Sequence, residues 1–209
     1  MKGRFITIEG GEGAGKSTNI SFILQYLENA GKDLVLTREP GGTPLGEKIR
    51  ALLLDKQNTE MSPNAELLLM FAARAQHIAQ VITPALQEGR WVLCDRFTDA
   101  TYAYQGGGRG ISDDRIEALE SWVQRGLRPD LTILLDISVN KGLERAGNRS
   151  EPDRFENEQK QFFERVRTCY LKLVDQHPER FRVVDASRPL NEVQEQIEKV
   201  LEEFCQNNP

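Results

Sequence analysis

Short, branched apolar runs alternate along the chain with longer stretches whose apolar positions return every three or four residues. Phe5-Ile6-Thr7-Ile8 has the alternating character of a buried strand, and Ile20, Ile23, Leu24 and Leu27 then follow at helical spacing. Asp33 to Thr37 predicts a second strand and Leu45 to Asp55 a helix. Ser62 is placed to cap a long helix running to about Gln87, with Pro63 at the first position, where the missing N–H costs nothing. Arg90 to Asp95 predicts a third strand, and Gly106 to Gly110 a turn before a helix capped by Ser112. Leu131 to Asp136 is almost wholly apolar, as a strand covered on both faces should be. A helix, a polar segment from Gly147 to Arg154 and another helix come next. Phe181 to Val184 predicts a fifth strand and Leu190 to Phe204 a final amphipathic helix.

Strands separated by helices in this way predict an α/β fold, a five-stranded parallel sheet with helices on both faces. Such sheets bind ligands beyond the carboxyl ends of their strands. Gly10, Arg38 and Asp95 each follow a predicted strand end, which points to one shared site. The sequence shows no repeat, low-complexity tract or linker, so residues 1–209 predict a single domain with a substantial core.

Composition narrows the function further. A content of 39% hydrophobic and 28% charged residues describes an ordinary globule, and a net charge of −5 argues against a nucleic-acid partner. No run approaches the ~20 apolar residues of a bilayer span, so no membrane association is expected. Met1-Lys2-Gly3-Arg4 leads into the first strand without the apolar region of a signal peptide. Cys94, Cys169 and Cys205 are scattered and suit reduced thiols, and the expected location is cytoplasmic. With only His77 and His177, histidine-based metal or acid–base chemistry is not expected.

The most specific pattern is Gly10-Gly11-Glu12-Gly13-Ala14-Gly15-Lys16-Ser17, a complete phosphate-binding loop between the first strand and first helix. Its chemistry needs that order. Glycines let backbone N–H groups converge on a phosphate, and the helix N-terminus adds partial positive charge. Lys16 then bridges the terminal phosphates and the Ser17 hydroxyl holds Mg²⁺. A plain turn joining strand to helix would have no use for the Lys-Ser pair. A nucleoside triphosphate is therefore the expected ligand. Asn140-Lys141-Gly142-Leu143 lacks the aspartate of a guanine-reading motif, and Gly11 stands where partition-type ATPases carry an extra lysine. What remains is a kinase of small molecules, with an ATP-dependent switch as the non-enzymatic alternative.

Three further motifs, Arg38-Glu39-Pro40-Gly41-Gly42-Thr43, Asp95-Arg96-Phe97 and Tyr104-Gln105-Gly106-Gly107-Gly108-Arg109-Gly110, make a likeness specific. With the phosphate loop they resemble the thymidylate kinase family, and the likeness runs from Ile8-Glu9-Gly10 through Asp153-Arg154-Phe155-Glu156. The resemblance implies the P-loop nucleoside-monophosphate-kinase fold, usually as a homodimer built through helices. It also implies the reaction: ATP with Mg²⁺ phosphorylates dTMP to dTDP, supplying dTTP for DNA replication. A kinase for another monophosphate, such as dUMP, is the competing enzymatic reading.

Site residues follow from the same resemblance. ATP falls to Gly10, Gly11, Glu12, Gly13, Ala14, Gly15, Lys16, Ser17 and Thr18, and Mg²⁺ to Ser17 with Asp95 and Glu9 nearby. Arg96 clamps the acceptor phosphate, a task its planar fork suits. Glu39, Pro40 (in a turn that the likeness makes cis) and Arg50 approach the acceptor nucleotide, while Thr101, Tyr104 and Gln105 contact base and sugar. Arg74 reads the pyrimidine O4, where a cytosine would present a donor instead. Either Met70 or Phe71 stacks on the base; the plainer alternative makes Phe71 a core residue. No basic side chain occupies Gly11 to Ala14, so the arginine that meets the transferring phosphoryl should come from a lid at about 145–156. Arg149 is the first candidate and Arg154 the second, against the reading of this segment as a solvated charged loop. Glu12 either assists catalysis or only shapes the phosphate loop.

Overall fold

The computed structural model describes residues 3–147, 153–156 and 158–208. In chain order the elements are β1 (Phe5–Glu9), α1 (Lys16–Asn29), β2 (Leu34–Arg38), α2 (Pro44–Leu54), α3 (Pro63–His77), α4 (Thr83–Gln87), β3 (Trp91–Asp95), α5 (Thr98–Thr101), α6 (Asp113–Gln124), β4 (Leu131–Asp136), α7 (Val139–Ala146), α8 (Lys160–Gln176), β5 (Phe181–Asp185) and α9 (Leu190–Gln206). The strands form the expected five-stranded sheet, ordered β2-β3-β1-β4-β5, and every pairing is parallel.

Parallel pairing forces the strands to end together. Ile8 and Arg38 both register with Asp95, so the residues that follow β1, β2 and β3 meet along one edge. Two backbone bonds stitch that edge: the Arg96 N–H donates to the Ile8 carbonyl at 3.0 Å, and the Glu39 N–H to the Asp95 carbonyl at 2.9 Å. One face of the sheet buries Ile6, Ile8, Leu93 and Ile133 against Ile20, Ile23 and Leu27 of α1 and Ile197 and Leu201 of α9. Each such side chain contributes roughly 1.5–3 kcal/mol. A second cluster joins Phe5, Val92 and Cys94 to Phe97, Ile82 and Ala85.

Helix starts follow their capping residues. Thr43 Oγ1 accepts the Gly46 N–H at 2.9 Å and Ser62 Oγ accepts the Ala65 N–H at 3.3 Å, with Pro44 and Pro63 leading α2 and α3. The single helix expected from Pro63 to Gln87 is continuous but carries a π-helical turn at Ile78–Ile82. Pro84 explains it, because proline offers no N–H and crowds the carbonyl four residues back. The turn expected at Gly106 to Gly110 is different again: Tyr102–Gly108 continues α5 as π-helix. The glycines there serve approach to α8. A Cβ on Gly108 would lie 2.4 Å from the Phe162 ring, and one on Gly107 2.8 Å from Cys169 Cβ.

Candidate active site

At the carboxyl edge of the sheet, the β1–α1 loop, the β2–α2 turn, the β3 end and α3 enclose a cavity of about 250 Å³. One end is strongly cationic. Lys16 Nζ curls over the loop to the Gly10 and Gly11 carbonyls, at 3.3 and 3.5 Å. Arg96 Nη2 donates to Glu12 Oε1 at 2.8 Å and to the Gly10 carbonyl at 3.3 Å, and its guanidinium lies 4.8 Å above the Tyr104 ring. The Tyr104 hydroxyl donates to the same Glu12 oxygen at 2.8 Å. Arg50 Nη1 donates to the Pro40 carbonyl at 2.9 Å, after a cis Glu39–Pro40 bond.

Electrostatics give this end its appetite. Burial and the neighbouring Arg96 lower the pKa of Lys16, and burial with Arg38 and Arg96 lowers that of Arg50. Burial pushes the Glu12 carboxyl up, but Arg96 and Lys16 outweigh it and hold the group at about 2. Cations crowded in this way gain from an incoming anion. Arg96 itself has φ 68°, a left-handed backbone that non-glycine residues seldom take. Its own N–H bond to Ile8 and the Phe97 N–H bond to Glu9 Oε1, at 2.7 Å, hold that conformation in place.

The rest of the wall is more apolar, with Pro40, Met70, Ala100 and Thr101 in the lining beside Arg74. Arg74 is buried between the rings of Phe71 and Phe97, at 4.7 and 5.2 Å. Its Nε donates to Glu39 Oε2 at 2.7 Å, and its Nη2 to Thr101 Oγ1 at 2.8 Å and the Phe97 carbonyl at 3.3 Å. Nη1 is buried with no partner among the described residues.

Most of the expected site residues therefore converge. Glu12, Gly13, Ala14, Gly15, Lys16, Ser17, Asp95 and Arg96 line the phosphate end; Glu39, Pro40, Arg50, Met70, Arg74, Thr101, Tyr104 and Gln105 complete the wall. Several do not. Glu9 is fully buried, with Oε1 on the Phe97 N–H and Oε2 on the Tyr170 hydroxyl at 2.8 Å. Burial and the Asp99 charge push its carboxyl up to about 8, as suits an acid held inside the fold. Phe71 is 3% exposed and packs with Leu67, Ile111 and Ile116, so Met70 is the residue that faces the cavity. Thr18 is exposed at the start of α1, outside the lining.

The lid candidates also separate. Arg149 lies outside the described residues. Arg154 is directed away from the cavity: Nε donates to the Leu53 carbonyl and Nη2 to Glu66, both at 2.7 Å. Asp153, Phe155 and Glu156 take its place in the lining. Glu66, buried on α3, also receives Gln105 Nε2 at 2.8 Å and Arg109 Nε at 3.2 Å. Neither Glu66 nor His77 was expected in this neighbourhood. A charged residue opening the run Leu67-Leu68-Leu69-Met70-Phe71, and a histidine three positions after Arg74, were the signals available.

The sequence model of the thymidylate kinase family matches residues 8–197. The chain belongs to the thymidylate kinase family. The thymidylate kinase of Alcanivorax borkumensis is 56% identical over 204 residues, 98% of each chain. That of Pseudomonas entomophila is 59% identical over 201 residues, 96% of each. The crystal structure of thymidylate kinase from Ehrlichia chaffeensis superposes with a TM-score of 0.79 at 33% identity, covering 97% of this chain and 99% of that one. Membership makes the chain an enzyme of phosphate transfer to a nucleotide, and the parallel sheet with its phosphate loop is the thymidylate kinase form of the nucleoside-monophosphate-kinase fold.

Proposed function

We propose that the enzyme transfers the terminal phosphoryl group of ATP to dTMP, giving dTDP and ADP. The observation that carries the substrate choice is Arg74: a buried guanidinium on the cavity wall with one nitrogen unpaired among the described residues, in a lining that also holds Met70, Lys16, Arg50 and Arg96. A pyrimidine carbonyl satisfies that donor; the amino group of cytosine would leave it unmet. The acceptor phosphate then falls to Arg96, with Arg50 nearby, in competition with Glu12.

ATP phosphates suit the Gly10–Ser17 loop and Lys16. Asp95 Oδ1, buried without a partner among the described residues, and the Ser17 hydroxyl are an oxygen set fit for Mg²⁺. Bound there, Mg²⁺ would neutralise charge on the donor phosphates. Transfer needs no strong base, because the attacking phosphate oxygen is already anionic. The chain's part is to align the two phosphates and surround the moving group with Lys16 and Arg96. Arg149 is the proposed lid arginine. Arg154 is committed to Glu66, and Arg145 Nη1 to the Ala186 carbonyl at 2.9 Å.

A homodimer is the proposed assembly. Leu45 and Leu52, two turns apart on α2, and Leu68 on the adjoining α3 are 49%, 51% and 56% exposed, an apolar area suited to a second copy. The proposed setting is the cytoplasm, where the free Cys94, Cys169 and Cys205 stay reduced. Coupled assays across dTMP, dUMP, dCMP, UMP and AMP test the reading. dTMP should give the highest kcat/KM and dCMP far less. Failure of every acceptor, or a preference for dCMP, would overturn it.

A further inference from the structure

We propose that His77 is a positioning residue for base recognition, acting through Glu39 on Arg74. The inference rests on the reading of the cavity as a pyrimidine monophosphate site. His77 follows Arg74 by three residues on α3, so the two side chains share a helical face. It is 0% exposed and absent from the cavity wall, so any influence on a bound nucleotide must pass through a neighbour.

That neighbour is Glu39. His77 Nδ1 stands 2.9 Å from Glu39 Oε1, and Nε2 stands 2.7 Å from Thr37 Oγ1. A neutral imidazole satisfies both contacts, with Nδ1–H donating to the carboxylate and the Thr37 hydroxyl donating to Nε2. Glu39 spends its other oxygen on Arg74 Nε at 2.7 Å. Half-buried Thr37 and buried His77, Glu39 and Arg74 thus form one chain, ending on Nη1, which has no partner among the described residues. Remove the imidazole, and buried Glu39 keeps only one of its two side-chain donors among the described residues. A half-satisfied carboxylate no longer has one preferred orientation. Arg74 would then lose the partner that sets the plane of its fork.

The β2–α2 turn closes over the imidazole. Gly42 has φ +75°, and a Cβ there would fall 2.6 Å from Thr37 Oγ1 and 2.7 Å from His77 Nε2. The turn that carries Glu39 and Pro40 into the cavity is therefore seated on the ring that orients Glu39.

The experiment compares His77→Asn with His77→Gln. Asparagine returns an amide near Nδ1, where it can donate to Glu39; glutamine reaches toward Nε2 and leaves Glu39 Oε1 without that donor. Steady-state kinetics for dTMP, dCMP and ATP are read beside thermal melts. His77→Gln should raise KM for dTMP about tenfold, the worth of one charge-assisted hydrogen bond, and lower the dTMP-over-dCMP preference about fivefold or more. Its kcat and its KM for ATP should stay within about twofold, and His77→Asn should recover most of the loss. A folded His77→Gln protein with unchanged KM for dTMP and unchanged preference overturns the proposal, as does an equal loss in kcat and both KM values. Should His77→Gln not fold, Thr37→Val cuts the outer bond alone and should raise KM for dTMP about two- to threefold; no change there is equally fatal. Wild-type enzyme that turns over no pyrimidine monophosphate sinks the underlying reading as well, whereas active wild type with an indifferent His77→Gln sinks only this inference.

Discussion

Met70 and Phe71 differ by one residue, yet they go to different places. Counting back from Arg74, position 70 lies about 40° to one side of the arginine on a helical wheel and position 71 about 60° to the other. Which side faces the cavity depends on how α3 packs against α6, a tertiary fact that the sequence alone does not contain. Arg154 escaped for a similar reason, since Asp153-Arg154-Phe155-Glu156 has no period that tells inward from outward. The phosphate loop was legible because backbone geometry itself demands its glycines and the Lys16-Ser17 pair. Glu9 shows how burial sets the charge of a carboxyl. Its carboxyl is raised from about 4.5 to about 8, so the folded state holds a proton that the unfolded chain releases. The sign follows: stability falls as pH rises between those two values. Glu9→Gln removes that dependence. Thermal melts from pH 5 to 8 should show the wild type losing stability relative to the variant, and parallel curves would count against the buried-acid account.

Among the elements, one carboxylate ties the segment before α8 to α3. Glu66 on α3 gathers Gln105 from the π-helical segment, Arg109 just after it and Arg154 from the chain leading to α8. Truncating one partner of a buried ion pair costs about 3–5 kcal/mol, which for a chain of this size is roughly 6 °C or more in Tm. Arg154→Ala should show that loss by calorimetry. Arg149→Ala should instead keep the wild-type Tm and lower turnover at least about tenfold, with a smaller effect on KM for dTMP. Exchange of these two phenotypes would reassign the lid arginine. The strands and most helices were readable from their periodicity, and strand ends differ from expectation by only a residue or two. The π-helical stretches were not. Gly106, Gly107 and Gly108 read locally as a turn, and only the approach of Phe162 and Cys169 from α8 explains why glycine is needed inside a helical segment.

For the whole molecule, parallel pairing with β1 at the centre draws the ends of β1, β2 and β3 to a single edge, and the cavity follows from that topology. The exposed leucines of α2 and α3 give the proposed dimer its own test. Leu52→Glu should shift sedimentation from two copies to one at micromolar concentration; an unaltered dimer would move the interface elsewhere. In the proposed complex the cavity takes dTMP lengthwise, base toward Arg74 and phosphate toward Arg96. A crystal structure with dTMP bound tests it most directly. The thymine O4 should lie about 3 Å from Arg74 Nη1, with Met70 against the ring and the phosphate on Arg96. A nucleotide lying the other way round, or bound outside this cavity, would contradict it.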